Sequence, residues 1–316
     1  MNLEEAIKLL SNKVDEAEIY YSTASSNTIQ LKKGEIDLYK DSAYSGYGVR
    51  IIQDKHMGFS FGNKLDEKLI DTALSVAKVS EEDPHLSLPS ISNNYRDVDV
   101  YDSGLAELDS EDASALALDL IKPCDEIGVM ASSAAFSWET SRVEIMNSHG
   151  IHDSEKETAC FAYVSAVANN GEASSGSYFD SSIRLDLDMD KIGRKAADLA
   201  KSSLGAKGIG NLKTNVILRP NAVADLVGYT LIPAFTADNV QRNRSPLAGR
   251  LGEKLFGEID IIDDGLLKDG LGSSRFDGEG VASQKTVLVD NGVLKGFLFD
   301  TYTGVKGGEE STGNAD

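Results

Sequence analysis

Residues 27–40 read Asn-Thr-Ile-Gln-Leu-Lys-Lys-Gly-Glu-Ile-Asp-Leu-Tyr-Lys, and this stretch decides the fold class. Apolar and polar side chains alternate on both sides of Lys33-Gly34, a turn signal, so two strands fold back on one another as an antiparallel pair. Toward the N-terminus, Leu3, Ala6, Ile7 and Leu10 recur at helical spacing, and residues 15–21 then switch to a short apolar run of strand type. Toward the C-terminus, 46–53 and 56–61 continue the meander. Residues 65–79 return to helix, with Leu65, Leu69, Ala73 and Val76 on one face and Asn63 as the expected cap.

The same order then recurs. Residues 80–110 hold Pro84, Pro89 and many Ser and Asp with little periodicity, so they read as a long connection, a hinge and a subdivision of the first domain. A helix at 110–121, stopped by Pro123, precedes strands at 128–138, 142–148, 158–168 and 171–179. A helix followed by antiparallel strands, met twice, predicts an α+β fold: an N-terminal helix plus antiparallel-sheet layers. No residue-level repeat marks a duplication. A further helix at 190–203 leads to a glycine-bearing linker at 205–211, which sets the expected domains at 1–210 and 211–316. The C-terminal domain reads as mainly β. Its expected strands are 215–218, 258–262, 286–290 and 293–299, the last two joined by Asn291-Gly292 in a type I′ hairpin, and its helices 222–231 and 246–256. Nothing closes the domain after that hairpin, so it reads as truncated at residue 316.

Of the 316 residues, 41% are hydrophobic and 26% charged, a globular composition long enough for two cores. Lys and Arg number 31 against 51 Asp and Glu, a formal charge of −20. That balance repels nucleic acid, and no basic run with interleaved aromatics compensates. The two cysteines, Cys124 and Cys160, sit among apolar neighbours and are too few for a disulfide framework. The N-terminus lacks the basic start and apolar core of a signal peptide. The longest apolar stretch, 159–168, is about half the ~20 residues of a bilayer span. The expected location is the cytoplasm, with no membrane contact.

Few motifs carry chemistry. Gly58-Phe59-Ser60-Phe61-Gly62 fits the nucleophile-elbow pattern, which would make Ser60 a serine-hydrolase nucleophile. An elbow belongs on a parallel sheet, however, and here the plainer reading puts Phe59 and Phe61 on one strand face and Ser60 on the other. His149 and His152 are three apart, yet Asn147-Ser148-His149-Gly150 reads as a hairpin tip without further ligands at zinc spacing. Asp186, Asp188 and Asp190 begin like a calcium loop. It fails at Lys191, where glycine is needed, and at Ala197, where a bidentate Glu belongs, so these aspartates favour the start of the next helix. Gly46-Tyr47-Gly48 is no dinucleotide fingerprint. Arg250 and Glu253 form an i, i+3 surface pair. No H-E-x-x-H occurs, and His56, His85, His149 and His152 all precede the second domain.

The segments without evident chemistry together resemble one family. Ala17-Glu18-Ile19-Tyr20-Tyr21, Lys33-Gly34-Glu35, Gly46-Tyr47-Gly48-Val49-Arg50 and Gly58-Phe59-Ser60 are similar to the N-terminal half of the TldD/PmbA proteins. Val143 through Gly150 resembles that family's N-S-x-G hairpin. The stretch beginning Ser245-Pro246-Leu247-Ala248-Gly249-Arg250, then Phe276-Asp277-Gly278-Glu279-Gly280-Val281, 286–296 and Ser311-Thr312-Gly313-Asn314-Ala315 resemble its C-terminal domain. The resemblance implies a cytoplasmic zinc-dependent metallopeptidase of two paired branches, acting on unfolded or leader peptides and also known as a modulator of DNA gyrase. In the active branch a helix carries H-E-x-x-x-H, whose histidines bind zinc while the Glu serves as general base. Ala224, Asp225 and Tyr229 occupy the corresponding places here, and no histidine lies beyond residue 205. The implied identity is the PmbA (TldE) branch: no catalytic residue and no metal in this chain, zinc in a TldD-like partner subunit, and a dimer, hetero or homo. The alternative is a stand-alone interaction or regulatory protein of the gyrase-modulator type, whose acidic surface shields a basic partner.

Overall fold

The computed structural model describes residues 1–92 and 94–315. In chain order the elements are α1 (Leu3–Leu10), β1 (Glu16–Lys32), β2 (Glu35–Gln53), β3 (His56–Gly62), α2 (Glu67–Ala77), α3 (Ser103–Ala106), α4 (Ser110–Asp119), α5 (Lys122–Ile127), β4 (Met130–Asn147), β5 (His152–Asn169), β6 (Ala173–Ser182) and α6 (Met189–Ser202). There follow α7 (Pro220–Leu226), a π-helical turn (Val227–Leu231), α8 (Ile232–Phe235), α9 (Ala237–Gln241), β7 (Ile261–Asp264), β8 (Lys285–Asp290), β9 (Val293–Leu294) and α10 (Thr301–Gly307).

The expected α+β layers are present. β1 to β6 form one antiparallel sheet in the order β3-β2-β1-β4-β5-β6, so two meanders join at the central pair β1–β4. Each meander is preceded and followed by helix, and the helix-strands-helix order is thus met twice within a single sheet. Odd-numbered residues of β1 point to one face. Ala17 and Ile19 there enter a core with Leu10, Ile70 and Ala73 of α1 and α2. Ile29 and Leu31 enter a second core with Leu120, Phe136 and Ile192 from the later helices and β4. Both helix groups therefore cover the same face.

Several strands are longer than their sequence pattern. Segments 15–21 and 27–33 are one strand, as are 35–40 with 46–53 and 128–138 with 142–148. The bridging residues, such as Glu139-Thr140-Ser141, carry no hydrophobic alternation because their side chains stay half-exposed. Their backbone groups are nevertheless paired by both neighbours in the middle of the sheet. The helix at 67–77 is capped by Asp66, three residues after the expected Asn63, with Asp66 accepting from Leu69 N at 3.0 Å. Pro123 ends α4 and also opens α5, where its missing N–H costs nothing.

The C-terminal unit is less regular than its pattern. Residues 215–218 form no strand, and 246–256 run as successive turns, interrupted at Gly249 and Gly252 with φ of +73° and +84°. Its sheet is three-stranded, β7-β8-β9, and Asn291-Gly292 joins β8 to β9 with φ of +45° and +79°, as a type I′ turn requires. The core of this unit gathers Phe235, Leu288, Val289 and Leu294. Among the described residues, no helix is long and apolar enough to cross a membrane.

The expected hinge at 80–110 is tied down at Asp83, Leu88, Tyr95 and Asp97. Asp83 accepts from Tyr302 Oη at 2.8 Å, Leu88 N donates to Glu16 at 2.6 Å, Tyr95 Oη donates to Gly280 O at 2.6 Å, and Asp97 pairs with Arg275. It runs as a strap between the large sheet and the C-terminal unit.

Candidate functional site

The face of the sheet opposite the helices carries the even-numbered residues of β1, and the C-terminal unit docks there. Register places Glu18 of β1 directly opposite Arg50 of β2. Arg50 donates twice to Glu18, both at 3.0 Å, and once to Glu279 of the C-terminal unit at 3.1 Å. One guanidinium thus spans the two units, the planar fork that suits arginine to paired carboxylates. Burial raises the Glu18 carboxyl above its ordinary range with Arg50 opposing, and the two carboxylates hold Arg50 charged.

Glu279 reaches Arg50 from a tight loop, 276–281. Asp277 organises it, accepting from Glu279 N at 3.0 Å, Val281 N at 2.9 Å and Ala315 N at 2.9 Å. Burial pushes the Asp277 carboxyl up to about 6, against those hydrogen bonds. Gly280 has φ of +79°, and a Cβ there would stand 3.0 Å from Ile151 and 3.2 Å from Ile145, so only glycine fits against the sheet. Phe276 packs with the same isoleucines. The neighbouring turn is built likewise: Asn147 accepts from His149 N and Ile151 N, both at 3.0 Å, and Ser148 Oγ accepts from Ala17 N.

Two clefts flank this contact. One, of about 830 Å³, has Met57 and Phe59 on its floor, with Arg50, Glu279, Arg242 and Tyr302 around it. The other, of about 380 Å³, is lined with carboxyls: Glu155 and Glu157 from β5 against Asp263 and Asp277. Burial pushes Glu155 up to about 7 and raises Glu157 as well.

The residues singled out by sequence do not converge. Ser60 is buried under α2 and its hydroxyl donates to Leu69 O at 2.7 Å, so it serves packing and presents no nucleophile to solvent. His149 lies 3.5 Å from Glu16, and His152 lies 3.3 Å from Glu144, on separate sides of the hairpin. Asp188 caps α6 by accepting from Lys191 N, and Asp190 in its first turn pairs with Arg194, the helix-start role expected of them. Arg250 and Glu253 pair at 3.0 Å within a turn. Cys124 and Cys160 are buried, their thiols pushed up by burial to about 11 and about 12, which leaves them inert. Among the described residues, no group of three or more His, Cys, Asp or Glu is arranged to hold a metal ion.

Ala224 and Asp225 lie on α7, and Tyr229 lies in the π-helical turn that continues it, 84% exposed. Neither α7 nor the π turn buries a residue. The π turn closes with Ile232 N donating to Val227 O, five residues back.

Comparison with known proteins places the whole chain. Residues 17–77 match the PmbA/TldA metallopeptidase domain 1, residues 60–204 the central domain and residues 211–316 the C-terminal domain of that family. An uncharacterised protein of Methanocaldococcus jannaschii is 37% identical over 320 residues, covering all of this chain and 74% of its own length. A metalloprotease of the same organism is 29% identical over 328 residues, covering 99% and 72%. Among solved structures, a Thermotoga maritima protein whose name ties it to modulation of DNA gyrase superposes with a TM-score of 0.92 at 28% identity, covering 98% of this chain and 73% of that one. TldE of Thermococcus kodakarensis superposes with a TM-score of 0.89 at 26% identity, covering 98% and 72%.

Proposed function

The chain belongs to the PmbA/TldD metallopeptidase family, and on that premise we propose that it is the metal-free, PmbA/TldE-like subunit of a two-subunit cytoplasmic peptidase acting on unfolded or leader peptides. The observation that carries the proposal is the helix after Pro220. In an α-helix, residues five apart stand about 140° apart around the axis, too far to share a metal. A π turn closes five residues back and brings such positions toward one side. The six places matching H-E-x-x-x-H, Ala224 to Tyr229, are split between α7, which holds Ala224 and Asp225, and a π turn at Val227–Leu231, which holds Tyr229, so a widened helix lies next to that spacing. Alanine offers no ligand, an exposed tyrosine is a poor one, and Asp225 stands without a second donor. The donor set does not fit zinc. Our reading is therefore a helix that stands where the family's metal site would be and lacks its ligands, with zinc and the general base supplied by a TldD-like partner, and this chain acting as part of the chamber wall.

Mixing this chain with a TldD-like subunit that carries H-E-x-x-x-H is expected to give a complex on size exclusion that cleaves an unfolded peptide, while neither chain does so alone. Failure to associate and failure to cleave together would refute the proposal. Capture of a basic regulatory partner with no peptidase activity would favour the gyrase-modulator alternative, for which the charge of −20 is the supporting feature.

A further inference from the structure

The contact between the large sheet and the C-terminal unit is unbalanced in charge. Asp153, Glu155 and Glu157 of β5 and Glu18 of β1 face Asp263, Asp277 and Glu279 of the C-terminal unit. The cations among them are Arg50, shared by Glu18 and Glu279, and Arg275, held by Asp153 at 2.8 Å and by Asp97. Tyr20 and Tyr95 also face the seam, Arg184 pairs at its edge with Asp269 of the C-terminal unit and Asp99 of the strap, Tyr302 donates to Asp83, and Glu139 adds its charge to that felt by Glu157. Glu155 accepts from Arg275 N with both oxygens, at 3.1 and 2.9 Å, and Asp277 accepts from three backbone amides. Neither has a guanidinium of its own. Like charges this close in a partly dried seam repel unless some carry protons.

We propose that this seam is a proton-operated latch, by which the C-terminal unit grips the sheet firmly near about pH 5 and loosens toward about pH 8. The sign follows from proton linkage. Glu155, up to about 7, and Asp277, up to about 6, bind protons more tightly when the units are docked than when water surrounds each carboxyl. Docking therefore takes up protons. Its protonation-linked stabilisation is complete below the ordinary carboxyl range and is lost as pH rises through about 6 to 7. Separation would free loop 276–281 together with the strap residues Tyr95 and Asp97, and would open both clefts. The latch stands whether or not the chain has a peptidase partner.

Hydrogen exchange of peptides covering 276–281 and 143–152, corrected for intrinsic rates, reads the opening equilibrium directly. Between about pH 5 and pH 8 the opening constant is expected to rise about tenfold or more. In the double variant Glu155→Gln with Glu157→Gln, which keeps side-chain size, the rise should flatten and protection at the upper pH should exceed wild type. A peptide from α1, which lies on the opposite face of the sheet, should show no such trend. A wild-type opening constant independent of pH, or an undiminished rise in the double variant, would overturn the latch.

Discussion

Replacing Arg50 with alanine is expected to destabilise the protein by about 3–5 kcal/mol, the range for removing one partner of a buried ion pair. Among the described residues, Arg50 is the only cation paired with Glu18, and it also holds Glu279. Removing it leaves two carboxylates facing each other in a partly buried seam, and the other contact of the Glu279 carboxylate, with Thr301 N at 2.9 Å, cannot neutralise it. Much of the loss reflects stranded charge, not an intrinsically strong pair. A triple variant that also carries Glu18→Gln and Glu279→Gln, with methionine at 50, should therefore recover most of the stability, whereas Arg50→Lys should recover only part, lacking the fork that serves two acceptors. Denaturant unfolding of the set measures this. A single Arg50→Ala loss below about 1 kcal/mol would place the pair among the surface bridges and refute its role as a strong tie between units.

A second large effect is expected at Gly58. A Cβ there would stand 2.0 Å from Ala73 O and 2.9 Å from Ala77 N, and both are backbone atoms of α2 that cannot swing away. Gly58→Ala must push the helix off β3. That in turn breaks the Ser60 Oγ bond to Leu69 O and opens the core formed by Leu69, Ile70 and Ala73. A loss of about 3 kcal/mol is expected, at the upper end for overpacking. Gly208→Ala, with nothing within 4 Å of the place its methyl carbon would take, is the control and should change stability by less than about 0.5 kcal/mol. Equal effects at the two glycines would contradict the close approach of α2. The same geometry accounts for the Gly-Phe-Ser stretch as a docking point for a helix.

Much of the fold was legible in the sequence because its signals are local. The Lys33-Gly34 and Asn291-Gly292 turns, the helices at both ends of each meander and the twice-met helix-strands order all follow from periodicity and turn chemistry. What stayed hidden depends on distant partners. Strand continuity through Ser22 to Ser26 or Glu139 to Ser141 comes from pairing across the sheet, which leaves no hydrophobic pattern. The turns at 246–256 look helical by apolar spacing, but Gly249 and Gly252 need left-handed backbone there. The candidate site was legible only as motifs. Gly48-Val49-Arg50 and Asp277-Gly278-Glu279-Gly280 stand 229 residues apart at their closest bond, Arg50 to Glu279, and nothing in either stretch names the other. The absent ligands at Ala224 and Tyr229 could be read by spacing, while the π turn that contains Tyr229 is a property of backbone bonding alone.

The measurement that bears most directly on the reading is zinc analysis of this chain, purified alone and again in complex with a TldD-like subunit. The chain alone should retain no zinc, and the complex should hold one zinc per pair, lost when the partner's H-E-x-x-x-H histidines are replaced. One zinc bound by this chain alone, undisturbed by Asp225→Ala or not, would show that it carries a metal site of its own and would contradict its assignment as the metal-free subunit.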